Sequence, residues 1–122
     1  STIEKVDGWP DFLVSYITPE YIKENNLDDN IISEASGLFA PYLKGIKNID
    51  WGVTITPKLA DGIYRLSLRS IPNSVSVRNI METMKIGGGH DRAAGGKLKT
   101  NDPKEAIDIL ISWMKVNKPV II

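Results

Sequence analysis

At 122 residues, with 42% hydrophobic and 25% charged side chains, the chain has the proportions of one ordinary globular domain. No apolar run approaches the roughly 20 residues that span a bilayer. The first residues do not read as a secretory leader, and the lack of cysteine excludes disulfides and thiolate metal sites. Fifteen Lys and Arg balance fifteen Asp and Glu, which argues against a protein that coats long duplex nucleic acid. Any phosphate recognition is therefore expected to be local.

No repeat or linker divides the chain, so residues 1–122 are read as one domain. Because it starts at Ser1 rather than methionine, we read it as an excised part of a longer protein. Phe12–Ile17 is a short apolar run and predicts a buried strand. Thr18-Pro19 is an N-cap followed by a first-turn proline, opening a short helix to about Asn25. Leu27–Asn30 reads as a turn. Ile31, Ile32, Ala35, Leu38, Phe39, Tyr42 and Leu43 then lie on one face of an amphipathic helix, interrupted by Gly37 and Pro41.

Trp51–Thr56 and Ile63–Ser70 predict two strands joined as a hairpin. Val77, Ile80, Met81 and Met84 fall at helical spacing within Ser76–Lys85. A glycine-rich loop follows, and Lys97–Lys99 is expected to return as a strand. Asp102-Pro103-Lys104-Glu105 is a capping box that opens a helix to about Val116, burying Ala106, Ile107, Leu110, Ile111 and Met114. The pattern implies an α/β (α+β) fold with a central mixed β-sheet of about five strands packed by helices.

Five of the ten glycines lie in Gly87–Gly96, around the only histidine, His90. Without a Cβ the backbone can take positive φ and let a ligand approach closely, and consecutive amides there are expected to form an anion nest. Ala93 and Ala94 keep the wall low, His90 can donate to a phosphate oxygen, and Arg92 offers a planar fork. A P-loop is excluded because no Gly-Lys-Ser/Thr follows. A dinucleotide fingerprint fails because the loop follows a helical pattern rather than a strand. In Ile63–Ser70, alternation puts Tyr64, Leu66 and Leu68 on one face and Arg65, Ser67 and Arg69 on the other. The first set is core. In the second, Arg69 is the expected phosphate clamp, whereas Arg65 reads as a surface cation.

Ser67-Leu68-Arg69-Ser70, then Val75–Val77 leading into a helix, then Gly-Gly-Gly-His-Asp-Arg-Ala-Ala-Gly-Gly, closely resembles the DHH-associated C-terminal domain. That domain accompanies DHH phosphoesterases: nanoRNA and pAp phosphatases, cyclic-dinucleotide phosphodiesterases and RecJ-type single-strand exonucleases. A related domain ends alanyl-tRNA synthetases. Many relatives carry a fourth glycine before the histidine run, where this chain has Ile86. The resemblance implies that the chain binds a nucleotide or short oligonucleotide phosphate for a manganese-dependent hydrolase of cytoplasmic location. The catalytic residues and the Mn²⁺ ions would then belong to an N-terminal DHH domain, since this chain contains no Asp-His-His. By position, Ser67, Arg69, Gly87, Gly88, Gly89, His90, Arg92, Ala94 and Gly95 are the implied ligand contacts. No catalytic or metal-binding residue and no cofactor is expected in the chain itself, and no membrane contact. The expected partners are nucleotides or short single-stranded RNA or DNA. The alternative is a non-catalytic nucleic-acid-binding or dimerisation module.

Trp9, Trp51 and Trp113 are candidate base-stacking groups, with Trp51 expected in the core instead. Trp113, off the buried stripe of the last helix, marks an interdomain or oligomer contact. Asp28-Asp29 reads as a solvated turn, and Asp91 with one histidine does not make a metal site.

Overall fold

The computed structural model describes residues 2–26, 48–58 and 62–122. The amphipathic stretch at 31–43, the turn at 27–30 with Asp28-Asp29, and residues 59–61 of the connection at 57–62 lie outside those residues.

Among the described residues six strands form one mixed sheet: β1 (Thr2–Glu4), β2 (Phe12–Tyr16), β3 (Trp51–Lys58), β4 (Ile63–Ser70), β5 (Gly87–Gly89) and β6 (Ala93–Lys99). Their order is β1-β2-β3-β4-β6-β5. Only β2 and β3 run parallel, and every other neighbouring pair is antiparallel. The sheet has one strand more than expected. Two short edge strands had no signal of their own: β1 is only three residues long, too short for a pattern, and β5 is three glycines, which have poor intrinsic strand preference. Pairing with a neighbour makes them strands. For the same reason β6 begins at Ala93, well before Lys97.

Among the described residues three helices pack on the sheet: α1 (Pro19–Glu24), α2 (Val77–Met84) and α3 (Pro103–Lys115). Thr18 caps α1 through its hydroxyl, which accepts from the Tyr21 N–H at 3.1 Å. Ser76 caps α2, and Lys85 ends it in the left-handed conformation at φ 61°. Asp102 caps α3 by accepting from the Glu105 N–H at 2.8 Å, while Glu105 reaches back to the Asn101 N–H at 3.0 Å. The reciprocal bond thus falls one residue earlier than a strict capping box would place it.

Tyr64, Leu66 and Leu68 of β4 face the core, as alternation requires, with Val53 and Ile55 of β3 beside them. Val77, Ile80 and Met81 of α2, and Ala106, Leu110 and Met114 of α3, close over this face. Ile111 is only half-buried at its edge. The tryptophans are structural. Trp51 stacks on Phe12 with ring centroids 4.5 Å apart, and Trp9 lies between Trp51 and Trp113 at 5.9 and 5.8 Å. The Trp9 Nε1–H donates to the carbonyls of Met114 and Asn117 at 2.9 and 3.0 Å. Both carbonyls lie at or just beyond the end of α3, so one indole ties the N-terminal segment to the last helix. Trp113 therefore packs against Trp9 within the chain.

The opposite face divides in two. Thr54 and Thr56 of β3 are buried there, 6% and 1% exposed. On β4 and β6, however, Arg65, Ser67, Arg69 and Gly95 stay partly exposed, and Lys97 is exposed. The open part of the sheet is its β4–β6–β5 side.

Candidate functional site

β5 and β6 meet in a tight turn whose centre is Asp91-Arg92. The His90 N–H donates to the Ala93 carbonyl at 2.8 Å, and the Ala93 N–H returns to His90 at 3.2 Å. This mutual pair sets the parity of the ladder. Gly88 and Gly95 form the next mutual pair, and the Lys97 N–H then donates to the Ile86 carbonyl at 3.2 Å. The peptide groups of Gly87 and Gly89 consequently face the open edge of the sheet. The expected concave nest is instead a row of edge amides, because in an extended strand successive N–H groups point to opposite sides.

The turn is pinned from behind. The Asp91 carboxylate accepts from the Ser76 hydroxyl at 2.6 Å and from the Arg78 Nε–H at 3.2 Å. Its carbonyl accepts from the Val77 N–H at 3.0 Å and the Ser70 hydroxyl at 3.1 Å. The Arg92 carbonyl accepts from the Ser70 N–H at 3.1 Å. Its guanidinium donates to the carbonyls of Ile71, Ser74, Val75 and Ile122. In this geometry Arg92 holds the 71–75 loop and the C-terminal segment; its fork is turned away from the open face. His90, with its side chain exposed, is what the pinned turn presents.

Asp91 carries a pH signature. The hydrogen bond from Ser76 holds its carboxyl below the usual carboxylate range; burial opposes this, and the Arg78 and Arg92 cations add to it. A depressed folded-state pKa contributes stability that is complete above the unfolded carboxylate pKa and is lost as pH falls through the folded value. We therefore expect Asp91→Asn to flatten the acid limb of the stability–pH curve as pH falls below the ordinary carboxylate range, as read by urea unfolding. An acid limb identical to that of the native chain would remove Asp91 from this role.

Strand register decides which of the anticipated residues converge. Arg69 lies opposite Ala93 on β6 and Gly52 on β3, beside the His90 turn. Its guanidinium donates to the Leu68 carbonyl at 2.8 Å, and its small neighbours leave a low floor. Ser67 follows, opposite Gly95 and Thr54. The Thr54 hydroxyl is buried without a partner among the described residues. Arg65 comes next, opposite Lys97. A cleft of about 400 Å³ opens over this stretch, lined by Arg65, Ser67, Ile86, Gly87, Gly95 and Lys97. Ala94 does not join it: paired with Leu68, it is buried on the core side. Sequence reasoning set Arg65 aside and did not single out Lys97, although strand alternation already put Arg65 on Arg69's face. Their meeting across two strands distant in sequence had no local signal.

Among the described residues no three His, Asp or Glu side chains cluster as metal ligands. No described helix is long and apolar enough to cross a membrane.

The DHHA1 domain family matches residues 10–116. An exopolyphosphatase-related protein from Bacteroides fragilis has a similar fold, with TM-score 0.62 and 18% identity over 86% of this chain and 29% of its own. An uncharacterized protein from Helicobacter pylori G27 superposes with TM-score 0.55 and 22% identity, over 90% of this chain and 28% of its own. The C-Ala domain of Aquifex aeolicus alanyl-tRNA synthetase gives TM-score 0.55 and 14% identity, over 94% of this chain and 99% of that domain. The chain thus spans less than a third of the length of the first two. No functionally curated sequence matches it.

Proposed function

The chain belongs to the DHHA1 domain family, and from that premise we propose that it is the substrate-binding domain of a DHH-family phosphoesterase, holding a nucleotide or short oligonucleotide by its phosphate. The observation that carries this reading is the register that sets Arg69 and Ser67 on an open sheet face beside a pinned turn presenting His90. Arg69 supplies a charged donor and His90 an exposed ring, while the edge amides of Gly87 and Gly89 add neutral donors. Gly95 leaves space for the ligand. None of these groups has to be rebuilt on binding, because Asp91 and Arg92 already fix the turn.

Among the described residues the donor set around His90 does not fit a resident metal. It offers one exposed histidine beside a carboxylate already engaged by Ser76 and Arg78. DHHA1 domains accompany an N-terminal DHH catalytic domain in related proteins, and we assign manganese, hydrolysis, any exonuclease action and a cytoplasmic setting to that parent protein. The likeness to the C-Ala domain, which extends over nearly all of it, favours a second reading: a nucleic-acid-binding or dimerisation module without catalysis. An Asp-His-His motif upstream in the parent reading frame would decide for the phosphoesterase.

The direct test is titration with AMP and adenosine 3′,5′-bisphosphate, following backbone amide shifts. We expect Gly87–Gly96 and β4 to respond. Arg69→Ala should weaken AMP binding by about 10- to 100-fold, the equivalent of one charge-assisted hydrogen bond, without altering the fold. Unmoved loop amides, or an unchanged affinity in Arg69→Ala, would defeat the reading.

A further inference from the structure

Residues 120–122 lie antiparallel along residues 73–76, with Ile121 facing Val75. Among the described residues four hydrogen bonds hold this tail, all at its main-chain atoms. The Ile122 N–H donates to the Ser74 carbonyl at 3.0 Å. The Ile122 carbonyl accepts from the Asn73 N–H at 3.1 Å and from the Arg92 guanidinium at 2.9 Å. The Val120 carbonyl accepts from the Ser76 N–H at 2.7 Å. The side chains bury little: Val120, Ile121 and Ile122 are 45%, 54% and 56% exposed. Directional bonds rather than apolar burial fasten the tail, so its docking is separable from the core. Two of the four bonds lead into the turn that presents His90. Arg92, at the centre of that turn, touches the tail directly. Asp91 is one residue removed from it, because Ser76 gives its N–H to Val120 and its hydroxyl to the Asp91 carboxylate at 2.6 Å. Two separate routes from the tail thus end on adjacent residues of the turn.

Resting on the reading that this turn holds the ligand, we propose that the main chain of Val120–Ile122 is a positioning element of the site. Docked, the tail keeps the turn in its ligand-ready form; released, it lowers ligand affinity. The physical reason is preorganisation. Without the tail, Arg92 loses one of its carbonyl acceptors and Ser76 loses the partner of its N–H. The turn gains freedom that a ligand must then remove on binding. Coupling of this kind is reciprocal, so a bound ligand fastens the tail in return. The exposed side chains of the tail take no part, since the bonds run from its main chain.

A shortened chain ending at Pro119 tests this. It keeps the Asn117 carbonyl that Trp9 uses and removes no residue of the core. The amides of Val77, His90 and Ala93 donate within or onto the turn, and their hydrogen exchange should quicken about tenfold. The amides of β3 should keep their native rates. AMP affinity, read by calorimetry, should fall about tenfold. Ile122→Pro in the full chain removes the N–H given to Ser74 and should move both readings the same way by a smaller factor. Ile121→Ala and Ile122→Ala, which shorten exposed side chains, should leave AMP affinity within about twofold. In the native chain, saturating AMP should slow exchange at the Ser76 and Ile122 amides. Turn amides and AMP affinity unchanged in the shortened chain, or equal acceleration across β3, overturns the positioning role. If the turn amides quicken while AMP affinity holds and Arg69→Ala still weakens AMP, the tail's role falls and the proposed function stands. If Arg69→Ala also leaves AMP binding intact, both fall.

Discussion

Trp51→Ala is expected to lower the stability of the chain by about 3–5 kcal/mol, a large part of the 5–15 kcal/mol typical of a domain. Trp51 is fully buried. It stacks on Phe12 at 4.5 Å and packs against Trp9 at 5.9 Å, and its Nε1–H donates to the Pro10 carbonyl at 3.0 Å. Truncation opens a cavity where β2, β3 and the residue 5–11 segment meet. It also leaves the Pro10 carbonyl without its indole donor. Through Trp9 the damage extends to the end of α3. Urea unfolding followed by circular dichroism reads the loss as a lower midpoint. Trp51→Phe separates the two contributions: it keeps an aromatic ring on Phe12 but removes the donor, and should cost about 1–2 kcal/mol. A midpoint unchanged in Trp51→Ala would mean that the aromatic cluster is not the core's anchor.

The second large effect lies in the glycine triplet, where the three positions should differ sharply. Gly89 has φ +143°, and a Cβ there would lie 2.6 Å from the Ala93 carbonyl oxygen and 2.8 Å from the Ala94 Cα. A Cβ on Gly87 would run into the Gly95 carbonyl in the same way. Both residues sit at non-hydrogen-bonded positions of the ladder, where the two backbones approach most closely. Gly88 differs, since a Cβ there would meet only the flexible end of Glu82 at 3.9 Å. Gly89→Ala is therefore expected to cost about 2–3 kcal/mol through backbone strain and overpacking, and to weaken AMP binding by unseating β5. Gly88→Ala should cost less than about 1 kcal/mol, the ordinary range for a substitution without a clash. Equal effects at the two positions would refute the geometry of this edge. Gly96 is restricted for a different reason, because α2 lies against it: a Cβ would come within 2.8 Å of the Met81 Sδ.

These two cases mark where sequence reasoning reached and where it stopped. The capped starts of α1 and α3 were legible because a cap is a bond between residues three apart, whereas α2 was legible only through its helical spacing. The core face of β4 was legible because strand side chains alternate. The glycine run was legible as unusual, but not as a strand: glycine carries no side-chain pattern, and only pairing with β6 makes β5 extended. Arg92 was misplaced on the ligand side because a guanidinium beside a glycine loop has no local mark of the four carbonyls waiting behind it. Ala94 was misplaced by one residue of register, which in a strand means the opposite face.

The order of residues thus decides the kinds of element, their starts, and the pairing of a glycine run with an upstream Ser67–Arg69 strand. Those properties depend on bonds and periodicities within a few residues, so no fold is needed to read them. Which groups share the open face was settled only when β4, β6 and β5 paired. Register across antiparallel strands brought Arg69 to the His90 turn and Arg65 to Lys97, and it sent Arg92 and Ala94 elsewhere. Such meetings join residues about 20 to 30 positions apart, and long-range pairing leaves no trace in the short-range pattern of either segment.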